Sequence, residues 1–111
     1  MKIEEKISNE VVSEAKDIFG EKLKKVILYG SYARGDYDAE SDIDIMILAD
    51  IERDSMCEYR HKILKTSNDL GLKNDIYVSL MFNSDKYFYN NIKASGFYRN
   101  VAKEGKVVYN A

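Results

Sequence analysis

The chain is constrained most by the nineteen residues from Gly30 to Leu48, which read GSYARGDYDAESDIDIMIL. Just ahead of them, Val26 to Gly30 (VILYG) is a short apolar run of β-forming residues that stops at a glycine. That is the pattern of a buried strand entering a turn. A polar loop without a period follows from Tyr32 to Ser41. Asp42 to Leu48 then begins in strict alternation and ends wholly apolar, which predicts a strand inside a sheet. Alternation puts Asp42 and Asp44 on one face and Ile43 and Ile45 on the other. The remaining residues read as support for this arrangement.

Before it, Ile3, Ile7, Val11, Ala15 and Ile18 recur at spacings of three and four and trace one stripe of a helix, with Gly20 placed as its C-terminal cap. After it, Met56, Tyr59, Ile63, Leu64 and Leu70 predict a second helix, started by Asp50 or Asp54 and closed by Gly71. Asp75 to Leu80 alternates again and predicts a third strand, with Asp75, Tyr77 and Ser79 on a common face. Ser84 is placed to cap a helix running towards Ile92, Phe97 to Glu104 predicts another ended by Gly105, and Val107 to Tyr109 a short closing strand. The order is helix, strand, strand, helix, strand, then mostly helix. It predicts an α+β fold: one domain over residues 1–111, a small mixed β-sheet with helices packed on it.

A chain of 111 residues has no room for a second core. It contains no apolar run near the roughly 20 residues that a membrane span needs, and MKIEEKISNEVV lacks the apolar centre of a signal peptide. A cytoplasmic protein without a membrane partner is expected. Seventeen basic against nineteen acidic residues give no excess of positive charge for coating phosphates, so direct nucleic-acid binding is not expected. The single Cys57 excludes an internal disulfide and a zinc cluster and is expected as a small packing residue. Nine tyrosines predict a tyrosine-rich core, and the aromatics from Phe82 to Tyr98 are assigned to packing. His61 is assigned to the surface, and Lys22, Lys24 and Lys25 to the polar end of a helix-to-strand turn.

The chemistry lies in the opening stretch. Two carboxylates at i and i+2 on a strand point into one space and repel each other unless a cation sits between them. Hard oxygen ligands suit Mg²⁺, which takes the rest of its shell from water and substrate phosphates. A nucleoside triphosphate is therefore the natural partner. Gly30 lets the backbone approach a phosphate, and the Ser31 hydroxyl with neighbouring N–H groups can donate to its oxygens. A short helix starting at Ser31 would add its positive end. Asp75, at the start of a strand that could lie beside the pair, is a third candidate acid. Three carboxylates can hold two metal ions, the arrangement of nucleotidyl transfer, with Asp75 accepting a proton or completing one shell. Arg34 reads equally as a phosphate contact or as an ion pair with Asp36 or Asp38.

Gly30-Ser31, ten intervening residues, then Asp42-Ile43-Asp44 resemble the signature of the polymerase-β-like nucleotidyltransferase superfamily. The fuller GSYARG and SDIDIMIL resemble its minimal nucleotidyltransferase (MNT) group. The close match covers residues 26–48. The resemblance implies a polymerase-β-like nucleotidyltransferase fold and a Mg²⁺-dependent enzyme, with two ions, that moves a nucleoside monophosphate from ATP or another NTP to an acceptor hydroxyl. Carried over by position, Gly30 and Ser31, with Arg34, would bind the triphosphate. Asp42, Asp44 and Asp75 would be the metal ligands and catalytic acids. The resemblance further implies an MNT-type antitoxin paired with a HEPN-domain toxin, which some relatives AMPylate on a tyrosine. Two alternatives stand beside it: a binding-only antitoxin that occludes its toxin, and a small-molecule nucleotidyltransferase completed by oligomerisation.

Overall fold

The computed structural model describes all of residues 1–111. Helix α1 (Ile3–Phe19) follows the predicted stripe, burying Ile7, Val11, Ala15 and Phe19. It ends at Gly20, whose φ of 58° is a conformation side chains resist. Strand β1 (Leu23–Tyr29) starts three residues earlier than the apolar run implied, so Lys24 and Lys25 belong to the strand and only Lys22 to the turn before it. A single turn of helix, α2 (Ser31–Arg34), leads through the loop to β2 (Ile43–Ala49). Helix α3 (Cys57–Asn74) connects to β3 (Val78–Ser84), followed by α4 (Asp85–Asn90), α5 (Gly96–Glu104) and β4 (Lys106–Asn110).

The four strands lie in the order β3-β2-β1-β4. β1 pairs antiparallel with β2 and β4, whereas β2 and β3 run parallel through the α3 crossover. The sheet is therefore mixed and the class α+β, as the element order predicts. Opposite faces carry separate cores. Ile43, Ile45, Ile47 and Ala49 of β2 meet α1 and α3 through Val11, Phe19 and Ile63. Met46 and Leu48, with Ile27, meet Phe88 of α4 and Val101 of α5. Of the aromatics from Phe82 to Tyr98, Phe88 is buried with Tyr98 packed on it, whereas Tyr87, Tyr89 and Phe97 are exposed, so the packing assignment holds for only part of the group.

Several local expectations need correction. Helix α3 runs through Gly71 to Asn74 and has no side-chain cap, so neither Asp50 nor Asp54 starts it. A Cβ at Gly71 would stand 3.0 Å from the Ile76 carbonyl, so that glycine serves the close return of the chain rather than the stop. Asp75 is not in a strand: it adopts the left-handed conformation (φ 53°, ψ 44°) that ends α3, and its N–H donates to the Gly71 carbonyl. Only Tyr32 of the nine tyrosines is buried, and Cys57 is exposed. The Ser84 cap is present, its Oγ accepting from the Tyr87 N–H at 3.2 Å, and Ser95 does the same for Tyr98 at 3.1 Å. Gly105 closes α5 in extended backbone, and a side chain there would collide with Ile27 and the Val101 carbonyl, so the position calls for glycine.

Phe88, fully buried, anchors the smaller core. Phe88→Ala is expected to cost about 3–5 kcal/mol in urea unfolding, the range for a truncated core aromatic. Lys62→Ala, on the exposed side of α3, should stay within about 0.5 kcal/mol.

Candidate active site

Antiparallel pairing of β1 with β2 sets Tyr29 opposite Asp44, and parallel pairing of β2 with β3 sets Ser79 on its other side. Tyr29, Asp44 and Ser79 thus form a row across three strands, on the face that α4 and α5 cover further along. Asp42 lies two residues before Asp44, just ahead of the strand, and is exposed. The two acids share a space closely enough that the Asp42 charge acts on Asp44.

Gly30 holds the other side of that space. Its φ is 76°, and a Cβ built there would stand 2.5 Å from Asp44 Oδ2 and 3.3 Å from its Cγ. The glycine is needed both for its backbone angle and for the room it leaves the carboxylate. Its carbonyl accepts from the N–H groups of Ala33 and Arg34, each at 3.1 Å, and so starts α2 at Ser31. Gly35, at φ 88°, ends that turn by donating its N–H to the Ser31 carbonyl at 2.9 Å. The rest of the polar loop is folded on itself: Asp38 Oδ1 accepts from the Glu40 N–H at 2.9 Å, and the Tyr32 and Tyr37 rings stack at 4.2 Å.

Burial, then repulsion from Asp42, pushes the Asp44 carboxyl above its ordinary range, and the Arg34 charge partly offsets this. Burial, helped by the Asp44 charge, pushes the Tyr29 hydroxyl up to about 12, so it stays protonated beside the acids at ordinary pH. Arg34 takes the ion-pair reading: its Nε lies 3.1 Å from Asp36 Oδ2 and its Nη1 3.3 Å from Glu104 Oε2. Asp38 has no part in that pairing.

Asp42, Asp44, Gly30 and Ser31 come together as the sequence predicts, with Arg34 close enough to act on Asp44. Asp75 does not join them. It lines a separate groove with Ser67, Gly71 and Tyr77, and no three acidic, histidine or cysteine side chains converge anywhere in the chain. The position beside Asp44 on β3 is instead Ser79, a hydroxyl. Two repelling carboxylates, one seated against a glycine whose Cβ would displace it, fit one hard divalent cation. A second ion would have to be held without a third carboxylate. Sequence reasoning missed Tyr29, Ser79 and Glu104. The first two were implicit in the strand alternation once a register is known; Glu104 carries no local signal.

The raised Asp44 carboxyl has a stability consequence. The native state keeps this proton at pH values where the unfolded chain has released it, so the group's contribution is full below its ordinary value of 3.8 and is lost as pH rises through the native value. Asp44→Asn is therefore expected to melt higher than the native chain at neutral pH in the absence of divalent ions. The difference should shrink as pH falls towards 4, as followed by thermal melts across that range.

The Nucleotidyltransferase domain family matches residues 8–108. A Methanocaldococcus jannaschii protein, provisionally named protein adenylyltransferase MJ0604, is 41% identical over 106 residues, 96% of this chain and 98% of that protein. A second from that organism, MJ0141, with the same provisional activity in its name, is 42% identical over 66% of this chain and 72% of its own. Among solved structures, a nucleotidyltransferase-type protein from Sulfolobus solfataricus superposes with a TM-score of 0.65 at 21% identity, covering 95% of this chain and 78% of that one. A toxin–antitoxin structure with AMP-PNP gives 0.62 at 21% identity over 94% and 73%. The complex of a tri-AMPylated Shewanella oneidensis HEPN toxin with its MNT antitoxin gives 0.58 at 18% identity over 98% and 74%. At these identities the structures establish the shared fold. With the family pattern spanning nearly the whole chain and a full-length relative above 40% identity, this chain belongs to the nucleotidyltransferase-domain family.

Proposed function

We propose that the chain transfers the AMP of ATP to a hydroxyl on a partner protein, a tyrosine of a HEPN-domain toxin, and acts as that toxin's antitoxin. The observation that carries the reading is the Asp42–Asp44 pair set against Gly30 at the start of α2. The provisional names of the archaeal relatives support protein as acceptor, and the AMPylated HEPN toxin bound to an MNT antitoxin supports the partner. The AMP-PNP complex of a neighbour supports a nucleoside triphosphate as donor.

Asp42 and Asp44 would hold a Mg²⁺ ion, which when bound supplies electrophilic stabilisation at the transferring phosphoryl group. Ser31 would donate to phosphate oxygens that the bare Gly30 backbone lets come close. Arg34, kept in place by Asp36 and Glu104, would add positive charge on the side of the acids. Tyr29, held neutral, would keep a hydrogen-bond donor beside Asp44. In the transfer, the acceptor oxygen bonds to the α-phosphorus as the bond to pyrophosphate breaks. The acceptor's proton leaves to water or to a partner group, since no third acid stands at the pair.

That absence favours a second reading in which the chain only binds and occludes its toxin. The two readings separate in one experiment: the purified chain, Mg²⁺, α-labelled ATP and a HEPN-domain partner. Labelled partner is expected, with labelling reduced at least about 100-fold by Asp42→Ala plus Asp44→Ala, as for loss of a main electrostatic element of a transfer site. No label from the native chain, with neutralisation surviving loss of both acids, would leave the binding-only reading. In the absence of any partner, Mg²⁺ with ATP should raise the melting temperature of the native chain but not that of the double variant.

A further inference from the structure

Strand β3 is an edge of the sheet, with β2 on one side and no strand on the other. Edge strands normally carry charge, proline or a cover that prevents pairing with another chain. This one has none of the charge or proline: Ile76 to Ser84 reads IYVSLMFNS. The Ile43 N–H donates to the Tyr77 carbonyl at 3.0 Å, and the register continues residue for residue to Ser84. Odd-numbered residues of β3 therefore turn their backbone groups towards β2, and Val78, Leu80 and Phe82 turn theirs outward. Ser67 Oγ occupies the Val78 carbonyl, which leaves Leu80 and Phe82 as the open positions. Large apolar side chains stand beside this edge: Met81 is 44% exposed, Leu64 59%, Tyr77 71% and Leu72 85%.

The charge along the edge is arranged head to tail. The groove at the C-terminal end of β3 has Arg53 and Arg60 as its charged residues, and the groove at the N-terminal end has Asp75. Neither Arg60 nor Asp75 forms an ion pair within the chain. An antiparallel, two-fold related copy places each basic end against the other's acidic end, the self-complementarity that an isologous contact requires. A partner of one sign could match only one end.

We propose that β3 pairs antiparallel with β3 of a second copy of this chain. Leu80 and Phe82 exchange backbone hydrogen bonds with Phe82 and Leu80 of the copy, which puts Met81 directly opposite its own equivalent on the two-fold axis. Ser79 then faces Asn83 of the copy, so the second chain walls the open side of the Tyr29–Asp44–Ser79 row. This assembly is independent of whether the site transfers AMP.

The pairing predicts a species of twice the 12.8 kDa chain mass in light scattering at micromolar concentration. It also fixes a register. With Cys57 replaced by serine, Met81→Cys should form an intermolecular disulfide under mild oxidation, because directly opposed residues of a non-hydrogen-bonded pair approach to about 4.5 Å between Cα atoms. Ser79→Cys, facing Asn83 of the copy, should crosslink at least tenfold more slowly. Arg60→Asp and Asp75→Lys should each weaken the dimer, and the two together should restore it. A chain that stays monomeric over this range overturns the proposal. So does Met81→Cys crosslinking no faster than Ser79→Cys.

Discussion

The site depends on a contact that exists because a side chain is missing. β1 and β2 are antiparallel neighbours, so the residue after Tyr29 arrives beside Asp44, and any Cβ there would lie 2.5 Å from the carboxylate oxygen. Glycine removes that obstacle and also supplies the φ of 76° that turns the chain out of the sheet into α2. One residue therefore satisfies three demands: the strand ends, a helical turn begins, and an acid is held where it would otherwise be displaced. Ser31 follows it directly as the first residue of α2, so its Cα is held next to the acids by the backbone.

The electrostatics follow from that placement. Asp44 is half-buried with Asp42 near it and has no cation in contact, so its ionised form is disfavoured until positive charge arrives. Arg34 supplies part of that charge from a distance while its guanidinium is occupied by Asp36 and Glu104. Glu104 lies in the last turn of α5, some seventy residues away, so the C-terminal helix is tied to the loop that carries the site. The ion pair is exposed, and its direct contribution to stability is small. Its consequence is positional: it fixes where the arginine rests.

The legible part of the chain was the part governed by local pattern. Alternation over Asp42–Leu48 and the glycine at position 30 give the strand, the turn and the shared face of two acids, and all of these hold in the fold. Asp75 was misplaced for a physical reason. DIYVSL alternates in sequence, but a left-handed residue at 75 interrupts the extended backbone before Val78, and aspartate is among the few side chains that tolerate that conformation. Gly71 was read as a helix end, although its cost inside a helix is only about 1 kcal/mol and the close approach of the Ile76 carbonyl repays it. The tyrosines failed as a core prediction because their hydroxyls find water more easily at the surface. Tyr29, which does enter the site, does so through register, and register is a long-range property that no window of sequence contains.

The two helical layers explain why the site is open. α1 and α3 cover their face along the length of β2, through Ile43, Ile45, Ile47 and Ala49. On the other face the β2 residues that meet α4 and α5 are Met46 and Leu48. Asp44 sits one step beyond that cover, half-buried between Tyr29 and Ser79. Phosphoryl chemistry at two carboxylates gains from a site closed to water, where charges act at full strength. In the proposed β3 pairing the copy's Asn83 would stand against Ser79, at the open end of the row that holds Asp44.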